Sequence, residues 1–219
     1  MLITQPLIKS RGFDMYSKGI DISHKNGNID FEKVADADVN YVFMKATEGG
    51  TYQDPNYGLY RGNALSANLR LGTYHYFRGL SSTPEEQRDN IVSTLSKNDF
   101  DASCEHFAID VELTGNENAT PELMADNLYA LLQLLENEAI LGGKKPLIYC
   151  AARFWDEHVA GDKHDFSQYP LWVASWDVDQ PRIPKVWSDA GKTWSIWQYT
   201  SKGNVPGISG DVDLDHVQL

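Results

Sequence analysis

Short runs of apolar residues recur along the chain, and most have the β-branched and aromatic content that is typical of strands. Within several runs apolar and polar side chains alternate, as they do on a strand with one buried face. The pattern predicts eight strands, at residues 19–22, 41–46, 72–77, 106–112, 147–150, 171–176, 195–200 and 212–214. A sheet is therefore expected to form the centre of the fold.

Segments with helical signals lie between the earlier of these predicted strands. Four segments carry a helical period or a recognisable helix start, at residues 30–37, 56–67, 84–97 and 120–140. Thr83 and Thr120 are N-cap candidates, and each is followed by a proline, which suits the first helical position. The glycine pair Gly142 and Gly143 is expected to end the last of these helices near Ile140.

Strands that alternate with helices are typical of βαβ units and a parallel sheet, and eight strands favour a closed barrel. The helical pattern fades between residues 177 and 192, which contain Pro181, Pro184 and Gly191. We therefore predict an α/β fold: an irregular (β/α) barrel of about eight parallel strands, with fewer or shortened helices in its second half. The barrel domain is expected to span residues 18–219, after an N-terminal extension of residues 1–17.

Composition and charge narrow the classes of function. The formal net charge of −12 argues against nucleic acid or an anionic membrane surface as a partner. No apolar run reaches transmembrane length and no cluster of His and Cys has metal-ligand spacing, so membrane insertion, a metal and a cofactor are not expected. Cys104 and Cys150 are predicted to be free thiols, because a parallel sheet places them near opposite ends.

Two carboxylates, Asp110 and Glu112, follow the apolar residues of the fourth predicted strand at positions i and i+2. On a strand this spacing puts both on one face, with Cα atoms about 6.5 Å apart. Removing ionised carboxylates from water is costly unless they are paired or neutralised, so the pair indicates a wet cleft. One acid that holds a proton beside one that holds a charge is the arrangement that glycoside hydrolysis requires.

Further acids lie at corresponding positions of other strands. Asp21 lies on the first predicted strand and Asp213 on the last. The first and last strands of a closed barrel are neighbours, and functional residues gather at the C-terminal ends of parallel strands, so these acids are expected to converge with the central pair. Asp211 and Asp215 are expected to have loop or capping roles.

Seven motifs in a fixed order make the chain resemble the family 25 glycoside hydrolases, the Chalaropsis-type lysozymes, over about nine-tenths of its length. They are Gly-Ile-Asp-Ile-Ser (19–23), Phe-Met-Lys-Ala-Thr-Glu-Gly (43–49), Gly-Thr-Tyr-His-Tyr-Phe (72–77), Asp-Val-Glu (110–112), Leu-Trp-Val-Ala-Ser-Trp (171–176), Trp-Gln-Tyr (197–199) and Val-Asp-Leu-Asp (212–215). The resemblance implies a β/α barrel with incomplete helices. It also implies an N-acetylmuramidase that cleaves the β-1,4 bond between N-acetylmuramic acid and N-acetylglucosamine in peptidoglycan.

The resemblance assigns roles to the four acids. Glu112 is expected to be the general acid and base, with a pKa raised toward the working pH. Asp110 is expected to stay ionised, and either to attack the anomeric carbon or to stabilise the substrate's 2-acetamido group as that group attacks. Both routes retain the anomeric configuration. Asp21 and Asp213 are expected to hold the substrate and to tune the central pair.

Substrate-binding candidates lie on several strands: Lys45, Glu48, Tyr74, Tyr76, Trp172, Trp176 and Gln198. Lys45 and Glu48 fit a pair that contacts substrate at the cleft edge or a plain ion pair equally well. Tyr74 and Tyr76 share a strand face and could bind the acetamido group, or pack in the core.

Trp172 and Trp176 share a face of the sixth predicted strand and are expected to form a platform for a sugar ring. Gln198 is expected to point inward as a polar anchor. His75 lies on the opposite strand face from the tyrosines, and a structural role is expected for it rather than catalysis.

Two other functions stay open on the residues alone: a hydrolase of chitin-like β-1,4 glycans, and a non-catalytic glycan-binding protein. A muramidase would act at the cell wall, in the periplasm or outside the cell. Residues 1–19 do not have the pattern of a signal peptide. Export by lysis or by a specialised secretion system is therefore an expectation, and a delivery or immunity partner stays open.

Overall fold

The computed structural model describes residues 16–219, and its centre is a nine-stranded sheet, eight strands of which close into a barrel. The strands are β1 (Ser17–Ile22), β2 (Tyr41–Glu48), β3 (Tyr52–Gln53), β4 (Arg70–Tyr76), β5 (His106–Asp110), β6 (Leu147–Ala151), β7 (Leu171–Ala174), β8 (Trp194–Gly203) and β9 (Val212–Val217). The two-residue β3 pairs only with the end of β2, outside the closed circle. The predicted irregular barrel of about eight strands is confirmed.

The direction of the last strand differs from the prediction. Six neighbouring pairs around the barrel are parallel, from β1–β2 to β7–β8. Strand β9 instead runs antiparallel to both of its neighbours, β8 and β1. The expectation of an all-parallel barrel is therefore wrong at β9, because a short connection from β8 returns the chain without a crossover helix.

The two helices after β6 are shorter than the last three before it, which agrees with the predicted shortening, although the first helix is also short. They are α1 (Phe31–Asp36), α2 (Tyr57–Ser66), α3 (Pro84–Lys97), α4 (Pro121–Glu136), α5 (Ala152–His158) and α6 (Lys185–Asp189). Thr83 caps α3 through a capping box with Glu86, and Thr120 caps α4. Helix α4 ends at Glu136, earlier than predicted, and a separate 3₁₀ turn precedes the left-handed Gly142.

The packing separates two layers. Outward-facing strand residues and the apolar faces of the helices form the larger core, which includes Leu128, Leu131 and Leu132 of α4. A smaller apolar cluster comes from alternate residues of the barrel strands and fills the lower part of the barrel, where Phe43 packs 4.7 Å from Trp172 between ring centroids. The polar residues of the site lie above this cluster, so the apolar layer forms the floor beneath them.

Several smaller expectations can be compared with the structure. Cys104 is exposed and Cys150 is buried, and both are free thiols as predicted. Strand β1 begins at Ser17, whereas most of the predicted extension, residues 1–15, lies outside the described residues. None of the helices in residues 16–219 combines the length and the apolarity needed to cross a membrane.

Candidate active site

Four predicted acids line one cleft at the mouth of the barrel, with a volume of about 290 Å³. Asp21 is near the end of β1, Asp110 is the last residue of β5, and Glu112 follows two residues later. Asp213 is directly opposite Asp21 in the strand register. Because β9 is antiparallel, its beginning meets the ends of the parallel strands, so Asp213 reaches the predicted position from the opposite chain direction.

The pair on β5 is buried unequally. Asp110 is 7% exposed, and its Oδ1 has no hydrogen-bond partner among residues 16–219. Burial raises the pKa of Asp110 well above its ordinary value, and the neighbouring charge of Glu112 adds to the rise. Burial also raises the pKa of the half-buried Glu112, while a hydrogen bond of 3.3 Å from the Tyr76 hydroxyl opposes this rise.

These shifts qualify the expectation that Asp110 is simply the ionised member of the pair. In the free cleft, burial favours the neutral form of Asp110 as well as that of Glu112. A hydrogen-bond donor at the open Oδ1 would stabilise the ionised form and lower the pKa of Asp110. The positive charge of Lys45 is one influence in the free cleft that lowers the pKa of Asp110 and so opposes the rise caused by burial.

Gln198 links three parts of the cleft and is 2% exposed. Its Nε2 donates to Asp21 Oδ2 at 2.7 Å, while its Oε1 accepts hydrogen bonds from the Tyr149 hydroxyl and from Trp176 Nε1, each at 2.9 Å. Burial and the charges of the nearby acids raise the pKa of Asp21 well above its ordinary value, and the bond from Gln198 partly offsets this. The predicted position of Gln198 as an inward polar anchor is found in the structure.

The last strand carries two acids on its inner face at different depths. Burial raises the pKa of Asp213 to about 6 and that of Asp215 to about 8. Asp215 is fully buried, accepts a 2.9 Å hydrogen bond from Trp172 Nε1, and leaves its Oδ2 without a partner in the described chain. The expected loop or capping role is therefore wrong for Asp215, whereas Asp211 is exposed.

The two predicted platform tryptophans occupy different environments. Trp172 is 2% exposed at the bottom of the cleft, so its ring packs in the barrel rather than presenting a face to solvent. Trp176 lies beyond the end of β7 and is 50% exposed, with its indole edge held by Gln198. Of the two, only Trp176 has an accessible ring face.

Lys45 and Glu48 form an ion pair of 2.6 Å at the edge of the cleft. The guanidinium of Arg78 binds the other carboxylate oxygen of Glu48 through Nε at 3.0 Å and through Nη2. Burial alone would raise the pKa of Glu48, but hydrogen bonds from both cations outweigh it and lower that pKa. Lys45 lines the cleft, whereas Glu48 acts within this ion-pair cluster.

The two predicted tyrosines both line the cleft from β4. Lys45 Nζ lies 4.6 Å from the centre of the Tyr76 ring and Arg78 Cζ lies 5.0 Å from it. His75 is fully buried between Thr47 and Gln87, with ring-nitrogen distances of 2.8 and 3.0 Å. The tyrosines therefore face the cleft and the histidine faces the packed side, as the alternation predicted.

The segment after Glu112 is fixed by a buried asparagine that sequence reasoning missed. Asn116 donates from Nδ2 to the main-chain carbonyls of Glu112 at 2.8 Å and Phe77 at 3.0 Å, and it accepts the Gly79 N–H at 2.7 Å. Arg78 adds a 2.9 Å bond to the Thr114 carbonyl. These contacts fasten the end of β5 to the end of β4.

Five further cleft residues were also missed: Ser23, His24, Lys25, Tyr149 and Ser201. The position of Tyr149 could have been predicted, because it lies two residues after Leu147 on β6 and so points to the same inner face. His24 and Lys25 follow the first strand directly, at the barrel end where site residues collect, but their side chains carry no distinguishing pattern. Within residues 16–219 no group of three or more His, Cys, Asp or Glu side chains is arranged to hold a metal ion.

Comparison with known proteins places this geometry in a family. The sequence profile described as "Glycosyl hydrolases family 25" matches residues 20–208. The chain is 33% identical over 198 residues to the autolytic lysozyme of Clostridium acetobutylicum, and 28% identical over 203 residues to lysozyme M1 of Streptomyces globisporus. Each match covers 90% of this chain, but the chain spans only 55% and 66% of the lengths of these relatives.

Solved structures agree with the sequence matches. The crystal structure of a bacterial lysozyme from Streptomyces coelicolor superimposes with a TM-score of 0.78 at 26% identity, covering 94% of each chain. The family profile covers most of the barrel, and the shared fold covers nearly the whole chain. The chain therefore belongs to glycosyl hydrolase family 25.

Proposed function

We propose that this protein is a muramidase, a glycoside hydrolase that cleaves the β-1,4 bond between N-acetylmuramic acid and N-acetylglucosamine in bacterial peptidoglycan. Its family membership and the names of its lysozyme relatives support this activity. The observation that carries the proposal is the Asp110 and Glu112 pair in an open cleft, in which Asp110 has a buried and unoccupied acceptor oxygen.

In the first step the carbonyl oxygen of the substrate's 2-acetamido group attacks the anomeric carbon. The bond from that carbon to the leaving sugar breaks as Glu112 transfers its proton to the leaving oxygen. The acetamido N–H donates to Oδ1 of Asp110, which lowers the pKa of this carboxyl and leaves the proton of the pair on Glu112. The unpartnered Oδ1 supplies the hydrogen-bond acceptor that the acetamido N–H requires on this route.

In the second step Glu112, now ionised, accepts a proton from water as that water adds to the anomeric carbon. The acetamido oxygen leaves, and the group returns to its neutral form. Two displacements at one carbon retain the anomeric configuration. The raised pKa of Glu112 suits a group that must hold a proton in one step and accept one in the next.

The remaining predicted residues surround this centre. Trp176 offers its exposed ring face to a sugar, and Tyr74 and Tyr76 face the reacting ring from β4. Asp21 and Asp213 hold sugar hydroxyl groups and influence the charge of the central pair. Lys45 contributes a positive charge at the cleft edge while it remains bound to Glu48.

We place the action of the enzyme at the bacterial cell wall, outside the cytoplasmic membrane, because that is where peptidoglycan lies. Glycan strands of peptidoglycan are the proposed partner. Export by lysis or by a specialised secretion system, and a delivery or immunity partner, remain part of this proposal.

The proposal is tested by incubating purified peptidoglycan with the protein and measuring new reducing ends. Mass spectrometry of borohydride-reduced fragments identifies the sugar at the new end, which the proposal requires to be muramic acid. Glu112→Gln is expected to abolish release, and Asp110→Asn to reduce it strongly. Glu117→Gln is the matched control, since Glu117 is an exposed acid on the same segment.

The other outcomes are equally specific. Full activity in Glu112→Gln would refute the general-acid assignment. Faster cleavage of N-acetylglucosamine oligomers than of peptidoglycan would replace the muramidase with a chitin-type hydrolase. Saccharide binding without turnover across a broad pH range would indicate a glycan-binding protein.

A further inference from the structure

The cleft contains two lysines among its lining residues, Lys25 and Lys45, in otherwise acidic surroundings. The chain as a whole has a formal net charge of −12, so a cation in the cleft is not a consequence of composition. The two lysines differ in their partners. Lys45 is bound to Glu48 at 2.6 Å and lies 4.6 Å from the Tyr76 ring centre.

Lys25 has no ion-pair or hydrogen-bond partner for its ammonium group within residues 16–219, and the residue is exposed. Its backbone is nevertheless well fixed. Ser23 caps the 3₁₀ turn His24–Asn26, accepting from Lys25 N, while Ser23 N donates to Asn26 Oδ1 at 2.9 Å. An anchored backbone with an unpaired charged tip is what a binding residue requires, because little of the segment must be ordered when ligand arrives.

The neighbouring His24 strengthens this anchor. Its main-chain N–H donates to Asp54 Oδ2 at 3.1 Å, and its ring Nδ1 lies 2.8 Å from the same oxygen. Asp54 is itself 6% exposed, so the turn is tied to a buried group. Lys25 therefore lies on a fixed turn just after β1, and it lines the same cleft as Asp21.

The position of Lys25 relates it to the scissile bond. Lys25 and Glu112 both line the cleft, so the lysine lies in the same cavity as the proposed general acid. In the proposed reaction, Glu112 protonates the oxygen on C1 of N-acetylmuramic acid. The lactyl ether of that same ring is on C3. Its carboxyl group is either a free carboxylate or is amide-linked to a stem peptide, which carries carboxylates of its own.

We propose that Lys25 is a specificity-determining residue that forms an ion pair with a carboxylate of the muramic acid substituent. The inference rests on the proposed muramidase activity and adds the group by which the cleft distinguishes muramic acid from a neutral amino sugar. A chitin-like glycan has no carboxylate at this position. Lys45 is not equivalent, because its ammonium group is already held in an ion pair with Glu48.

The test compares the wild type with Lys25→Gln on soluble glycan strands stripped of peptide, before and after conversion of the lactyl carboxylates to methylamides. Lys192→Gln is the control, an exposed lysine outside the cleft. For the wild type, methylamidation is expected to raise KM about two- to fivefold with little change in kcat. Lys25→Gln is expected to show the raised KM on both substrates, and Lys25→Arg to restore the difference.

A parallel series on sonicated peptide-bearing peptidoglycan separates the two sources of carboxylate. A KM effect of Lys25→Gln on stripped strands assigns the lactyl carboxylate, and an effect only on peptide-bearing strands assigns the stem peptide. Both support the ion pair, and added salt should weaken it in each case. If Lys25→Gln has the KM of the wild type on both stripped and peptide-bearing strands, the inference is overturned. If the wild type itself cleaves neither substrate, the result counts against the proposed function instead.

Discussion

The side-chain amide of Asn116 donates a 2.8 Å hydrogen bond to the main-chain carbonyl of Glu112, the proposed general acid. The same amide group also holds the carbonyl of Phe77, and its oxygen accepts the Gly79 N–H. Asn116 is 3% exposed. A single buried side chain thus sets the position of Glu112 relative to strand β4, where Tyr76 lies.

Asn116→Asp should therefore reduce kcat more than it affects KM. The substitution keeps the shape but replaces two amide donors with a carboxylate oxygen that repels both carbonyls. A displacement of the acid by about 1 Å can cost up to about 100-fold in rate. Steady-state kinetics on soluble glycan strands, together with thermal unfolding, would measure the change in kcat beside the loss of stability.

Asn90→Asp is the matched control for this prediction. Asn90 is also buried and also donates to two carbonyls, those of Gly49 and Tyr52, at 2.9 and 3.0 Å. Both variants should lose about 1–3 kcal/mol of stability. An equal loss of kcat in the two variants would show that Asn116 acts only through general stability and does not position Glu112.

Tyr76→Phe should change the pH dependence of the reaction. The Tyr76 hydroxyl lies within donor distance of Glu112 at 3.3 Å and of the Thr114 carbonyl at 2.9 Å, and the hydrogen bond to Glu112 lowers the pKa of that carboxyl. Without it the pKa of Glu112 rises, so the general acid keeps its proton to higher pH. The basic limb of the kcat/KM profile is therefore expected to move to higher pH, as measured by initial rates across a pH series.

Tyr129→Phe provides the comparison, since this tyrosine stacks on His164 at a ring distance of 4.3 Å and is not among the cleft residues. It should leave the profile in place. A basic limb that moves to lower pH in Tyr76→Phe would contradict the assigned direction of the hydrogen bond, because loss of a donor to a carboxylate cannot stabilise its charge.

Trp176→Ala should weaken substrate binding. The ring is 50% exposed, and its edge is fixed by the 2.9 Å bond to Gln198, so its face is held ready for a sugar. Loss of one aromatic contact of this kind is expected to raise KM about two- to tenfold with a smaller effect on kcat. Kinetics on glycan strands of defined length would show the effect.

Leu59→Ala tests whether any exposed apolar residue would behave in the same way. Leu59 is 62% exposed on α2 and is not among the cleft residues. Its KM should equal that of the wild type. If Trp176→Ala also leaves KM unchanged, the exposed ring is not a sugar platform.

The sequence predicted the inner face of the barrel well and the depth of its residues poorly. Alternation placed Asp110 with Glu112, and Tyr74 with Tyr76, because a strand repeats every two residues regardless of its surroundings. The alternation is the same for parallel and antiparallel strands, so it could not predict that β9 is antiparallel.

Depth and partners depend on contacts that are distant in sequence. Asp213 and Asp215 share one face of β9, but it is Asp215 that accepts a hydrogen bond from Trp172, 43 positions away. Lys25 looked like any exposed lysine. Asn116 looked like any loop asparagine, because its partners Phe77 and Gly79 lie 39 and 37 positions earlier in the chain. Contacts of this kind form only in the closed barrel, so the local sequence pattern does not predict them.

Asp215→Asn should make the protein more stable at alkaline pH than the wild type. Burial raises the pKa of Asp215 to about 8, so between its ordinary value near 3.8 and about pH 8 the folded state binds the proton more tightly than the unfolded state. Stability from this group is therefore present at low pH and is lost as pH rises through that window. Asparagine is never charged, and its oxygen can still accept the Trp172 N–H.

Thermal or urea unfolding of both proteins from pH 4 to pH 9 measures the difference. The free energy of unfolding of Asp215→Asn, relative to that of the wild type, is expected to be higher at pH 9 than at pH 4 by at least about 1.4 kcal/mol, the equivalent of one pKa unit. Asp211→Asn removes the same formal charge from an exposed position on the same segment and should show no such gain. If the two variants shift alike, long-range charge rather than burial of Asp215 governs the pH dependence.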